Sequence, residues 1–93
     1  MVNGDVNEFV DHIQYGDELV FIYHNIKYFL QGWTENGISV MVLDIWEGKP
    51  IEGYVWETSA KKMSICAERF LSARIFEGKS FWEIEGEIEW VDC

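Results

Sequence analysis

A chain of 93 residues has room for one hydrophobic core, so a single domain over residues 1–93 is expected. The net charge of −10 argues against nucleic acid or an anionic membrane as partner, because both are bound by neutralising phosphates with Lys and Arg. Intrinsic disorder is also excluded, since 48% of the residues are hydrophobic and five of them are Trp.

The first element is a helix over residues 5–14. Val6, Phe9, Val10 and Ile13 recur at helical spacing on one face, Asn3 or Asp5 can cap the start, and Gly16 fits the stop. From Asp17 the period falls to two. Leu19–His24, Lys27–Glu35 and Ile38–Trp46 then read as three consecutive strands rich in β-branched and aromatic residues. Asn36-Gly37 is a strong hairpin signal, because a tight type I′ turn needs positive φ at both central residues. A turn at Asn25-Ile26 is expected between the first two strands, although a β-branched residue resists positive φ and a longer loop is the alternative.

Glu47-Gly48-Lys49-Pro50 breaks the meander. Gly53–Glu57 reads as a fourth short strand or as plain extended chain. Thr58 or Ser59 is expected to cap a second helix over about residues 60–73 that buries Met63, Cys66, Ala67, Phe70 and Leu71. Glu77-Gly78 marks a turn. Ser80 and Glu83 form the S-x-x-E pattern of a capping box, while Glu83, Glu85, Glu87 and Glu89 alternate with Ile84, Gly86, Ile88 and Trp90 in strand fashion. The expectation is a short helix over about residues 80–86 followed by an extended stretch to Val91. The fold class is therefore α+β: a three- to four-stranded antiparallel meander with an N-terminal helix and one or two C-terminal helices packed on the sheet.

Parity along the strands sorts the side chains onto two faces. One face collects Leu19, Phe21, Tyr23, Tyr28, Leu30, Gly32, Met41, Leu43 and Ile45, and this is the side the helices must cover. The other collects Val20, Ile22, His24, Lys27, Phe29, Gln31, Trp33, Ile38, Val40, Val42, Asp44 and Trp46. That is too apolar for an ordinary solvated face. Either the C-terminal segment folds over it with Phe81, Trp82 and Trp90, or it meets another protein or a second copy of the chain.

The acids are unevenly placed. Residues 1–23 hold five acids and no Lys or Arg, residues 24–75 balance, and residues 76–93 hold six acids against Lys79. Two acidic ends thus bracket a neutral middle, and adjacent termini would merge them into one negative surface. The first fifteen residues carry acids where a signal peptide would be basic and apolar, and Leu19–Tyr23 is the longest apolar run. Cys66 and Cys93 form neither a disulfide framework nor a metal pair, so a soluble cytoplasmic protein with reduced thiols is expected.

Catalytic constellations are not found. Cys66 falls on the apolar face of its helix, His12 sits near a helix end, and Asp44 is the one acid in an apolar strand. The carboxylates of residues 83–89 do not converge as a cation loop requires, so no metal and no cofactor are expected. Charge on an edge strand also discourages aggregation. The sequence favours a non-enzymatic module that binds another, basic protein, in the manner of an inhibitor or immunity protein. Phe29, Trp33 and Trp46 would anchor it, with Glu85, Glu87 and Glu89 steering encounter. A homo-oligomer built through the same face and a small-molecule binder with a pocket between sheet and helices are the alternatives.

Overall fold

The computed structural model describes residues 1–46 and 54–92. Within them lie α1 (Val6–Tyr15), β1 (Leu19–Tyr23), β2 (Ile26–Glu35), β3 (Ile38–Ile45), β4 (Trp56–Ala60), α2 (Met63–Ser72), α3 (Phe81–Ile84), a 3-10 turn at Glu85–Glu87 and β5 (Glu89–Asp92). The strands form one antiparallel sheet in the order β4-β3-β2-β1-β5. The α+β class, the N-terminal helix, the C-terminal helices and the antiparallel meander are as expected. The extended stretch near the C-terminus pairs with β1 as a fifth strand. The breaker at residues 47–50, Gly53 and Cys93 lie outside the described residues.

Local chemistry accounts for the helix ends. Asp5 stays extended and its carboxylate accepts from the amide of Asn7, satisfying a first-turn donor. Gly16 terminates α1 at φ 73°, where a side chain would be strained, and its amide donates to the carbonyls of His12 and Ile13. Asn36-Gly37 turns with φ of 52° and 77°, pairing Glu35 with Ile38 as the sequence requires.

Two expectations are corrected, and one of two alternatives is removed. The β1–β2 turn falls on His24-Asn25, at φ of 49° and 65°, so Tyr23 pairs with Ile26 and the β-branched residue escapes positive φ. The register therefore moves by two residues, which leaves the paired side chains on their assigned faces, while His24 leaves the second face for the turn and stacks on Tyr23. Next, neither Thr58 nor Ser59 caps α2. The strand continues through Ala60, alternating Trp56, Thr58 and Ala60 inward with Glu57 and Ser59 outward, and Lys62 holds the cap position. Finally, the C-terminal aromatics do not cover the second sheet face. Phe81 is fully buried with the helices and Trp90 packs edge-on against Phe9 at 5.3 Å, while Trp82 is exposed beside Phe81.

The core lies between the helices and the face bearing Leu19, Phe21, Tyr23, Tyr28, Leu30, Met41 and Leu43. Phe9 and Ile13 of α1, Cys66, Ala67, Phe70 and Leu71 of α2, and Phe81 and Ile84 of α3 fill it from one side. Much of the contact is aromatic: Phe9 stacks on Phe81 at 5.7 Å, and Phe76 meets Tyr23, Tyr28 and Phe70 edge-on. Where α1 ends against β2, the Gly32 amide donates to the Gly16 carbonyl at 3.2 Å and Met63 closes over both glycines.

The β5 edge is tied to the N-terminal segment. The Asn3 side chain donates to the Trp90 carbonyl at 2.8 Å and accepts from the Trp90 amide at 2.7 Å, mimicking a strand partner. Such pairing blunts an edge that would otherwise template aggregation.

Candidate functional site

The second sheet face is built by alternation. Residues paired across β1, β2, β3 and β4 share a face, so Val20, Ile22, Lys27, Phe29, Gln31, Trp33, Ile38, Val40, Val42, Asp44 and Glu57 project away from the helices. No helix among the described residues lies on this side. Val20 and Val42 are buried, Ile22, Phe29 and Val40 are half-buried, and Trp33 and Trp46 remain 38% and 49% exposed. Phe29 and Trp46 meet edge-on at 5.1 Å, which holds both rings at the surface in a fixed relation. The Trp46 amide donates to the Lys27 carbonyl and fixes the chain direction there.

The expected anchors therefore share one surface, but the expected steering acids do not. Glu85 accepts from the amino group of Met1 at 2.8 Å, and Glu87 bonds the ring of His24 at 3.2 Å. Glu89 alone borders the face, opposite Ile22 on the β5 edge. Sequence reasoning placed Asp44, across from Phe29, on this face but passed over two further acids that belong to it: Glu35 across from Ile38 and Glu57 across from Val42. Strand parity was enough to find them. Among the described residues Lys27 is the one cation on the strands of this face, so their outward side chains carry net negative charge.

Asp44 accepts from the amide of Ile45 at 2.8 Å. His12 contacts Asp17 at 2.7 Å at the end of α1 and lies edge-on to Trp90. Cys66 is fully buried and its Sγ donates to the Ser39 carbonyl at 3.5 Å, while burial pushes the thiol pKa up. A thiol in that setting resists ionising and is a core residue. Trp56 packs edge-on against Phe70 on the helix side, so the tryptophans do not assemble into one stacking platform.

Four glutamates of the C-terminal segment point to four different places. Glu83 accepts from the Ser80 amide at 3.0 Å and pairs with Arg74. Glu85 meets Met1, Glu87 meets His24, and Glu89 lies on the strand. Among the described residues no three His, Cys, Asp or Glu side chains are grouped to hold a metal ion.

A second cluster was not foreseen. His24, at the β1–β2 turn, stacks on Tyr23 at 3.9 Å; its Nδ1 contacts Glu77 at 2.8 Å and its Nε2 contacts Glu87. These hydrogen bonds to carboxylates raise the His24 pKa above 6.5, against a smaller opposing effect of burial. Tyr23 is 2% exposed and its hydroxyl has no partner. Burial, with Glu77 and Glu87 nearby, pushes its pKa up.

Among the described residues, no helix is long and apolar enough to cross a membrane. Comparison with protein families, curated proteins and solved structures gives no match, so the functional reading rests on the side chains themselves.

Proposed function

We propose that this chain is a protein-binding module that docks the sheet face opposite its helices onto a partner with a basic, centrally apolar surface. Its role is that of an acidic inhibitor or immunity-type protein, with no reaction of its own. The observation that carries the reading is the placement of Trp33, Trp46, Phe29, Ile22 and Ile38 on one helix-free face within a frame of Glu35, Asp44, Glu57 and Glu89. Large rigid rings supply contact area at small entropic cost, and the acids supply steering and register.

Size sharpens the reading. Five strands about 4.8 Å apart, overlapping over roughly six residues, offer a footprint of about 400–500 Å². A stable complex buries about 800 Å² per partner, so the acidic rim must join the contact. The same acids oppose self-pairing through this face, since a second copy would bring like charges together.

The test is capture from native lysate by wild type beside a Phe29→Ala, Trp33→Ala double variant, with association measured across ionic strength. A partner that the variant loses, and whose on-rate falls with added salt, supports the reading. A partner retained by the variant, or indifferent to salt, overturns it. Light scattering at low salt separates the alternative: a dimer abolished by Trp33→Ala would make self-association the function.

A further inference from the structure

The hairpin tip at His24 joins three parts of the chain that are far apart in sequence. His24 comes from the β1–β2 turn, Glu77 from the Phe76–Lys79 turn after α2, and Glu87 from the 3-10 turn before β5. Both ring nitrogens face carboxylate oxygens. A carboxylate only accepts hydrogen bonds, and a neutral imidazole has one donor and one lone pair. The neutral ring can therefore satisfy one glutamate while turning its lone pair on the other. Only the imidazolium satisfies both.

Two further features mark the junction as poised. Glu77 holds φ at 56°, in the left-handed region that a long side chain without local hydrogen bonding disfavours, and it does so in the turn that brings its carboxylate to His24. Beneath the ring, the Tyr23 hydroxyl is buried without a partner, a cost that exposure to water would relieve. The native arrangement is thus strained at Glu77 and Tyr23 and held shut by the hydrogen bonds of His24.

We propose that His24 is a pH-operated latch: protonated, it clamps the β1–β2 hairpin to the Phe76–Lys79 turn and the 3-10 turn together, and on losing its proton it releases one of them and loosens the segment that carries β5. The groups facing it are Glu77, Glu87 and the stacked Tyr23, with Tyr28 also lying near Glu77; both tyrosines are pushed to higher pKa and stay neutral through the working range. The direction follows from linkage. A group with a raised folded pKa stabilises fully below its unfolded value of 6.5 and loses that contribution as pH rises through the folded pKa.

The test measures amide-exchange protection factors in β1 and β5, corrected for intrinsic rates, on either side of the His24 titration, which NMR follows directly. In wild type the opening constant should rise with pH above 6.5, by at most about tenfold per pH unit, then level off. His24→Asn keeps a residue suited to positive φ and should show the open-state value throughout; any pH dependence that remains in it arises elsewhere in the chain and is subtracted from wild type. Glu87→Gln should keep β5 protected at high pH, because the amide can donate to the neutral ring. Wild-type imidazole titrating at or below 6.5 would overturn the proposal, as would the same pH dependence in His24→Asn, or a Glu87→Gln protein that still loosens with pH.

Discussion

Gly32→Ala tests whether the helices are seated on the sheet as described. A Cβ at residue 32 would lie 2.9 Å from both Sδ and Cε of Met63 and 3.1 Å from the Cα of Gly16. Met63 is flexible and can swing aside, but the Gly16 contact is backbone at the end of α1 and cannot yield without moving the helix. Overpacking of this kind costs about 1–3 kcal/mol. Replacing glycine with alanine returns roughly 0.4–1 kcal/mol by restricting the unfolded chain. The expected balance is a loss of about 1–2 kcal/mol, or roughly 5–15 °C in Tm for a domain of this size. Thermal and urea unfolding measure it, and repeating the substitution in a Met63→Ala background separates the two contacts. There the cost should shrink without vanishing, because the Gly16 contact remains. A Gly32→Ala protein as stable as wild type, or more stable, would refute the packing argument.

Three further outcomes are expected. Tyr23→Phe keeps the ring packing on Phe76 and His24 while removing an unpartnered hydroxyl, so Tm should rise; a clear fall would mean that the hydroxyl is satisfied. In a Cys93→Ser background, Cys66 should react with a thiol reagent only as fast as the protein opens, and labelling faster than unfolding would contradict its burial. The Glu83 carboxyl is held below 4.5 chiefly by the Ser80 amide, so its contribution stands above 4.5 and is lost as pH falls through the lower folded value. Wild type and Glu83→Gln should accordingly differ in Tm at neutral pH and converge in acid, which calorimetry across pH would check.

The helices and the sheet faces were legible because periodicity records burial directly. Phe9 and Ile13, or Phe70 and Leu71, could not be placed outward without exposing a whole stripe. Parity proved robust even where register was wrong: moving the first turn from Asn25-Ile26 to His24-Asn25 shifts pairing by two and preserves both faces for every paired residue, losing only His24 to the turn. The end of β4 was misread because Thr and Ser suit a helix cap and an outward strand position equally well, and only pairing with β3 decides between them. The His24 junction left no periodic signal. Its carboxylates lie 53 and 63 residues away along the chain, and only the docking of the Glu77-Gly78 turn and the 3-10 turn brings them to the ring. Glu85, Glu87 and Glu89 were grouped for recognition because they are neighbours in sequence, whereas the backbone after Ile84 rotates them toward separate partners.

That separation bears on the proposed role of the acids. Of the three C-terminal glutamates expected to steer a partner, Glu85 and Glu87 are already hydrogen-bonded within the molecule, and a committed carboxylate is a weaker source of long-range steering than a free one. The acids on the apolar face come mainly from the charge-balanced middle of the chain, where Glu35, Asp44 and Glu57 project outward while Lys61, Lys62, Arg69 and Arg74 belong to α2 and the segments flanking it. On this reasoning, charge reversal at Glu35 and Glu57 should slow partner association far more than reversal at Glu85, although Glu85 lies in the more acidic stretch. Equal effects from all three would move the binding surface to the acidic ends and away from the sheet.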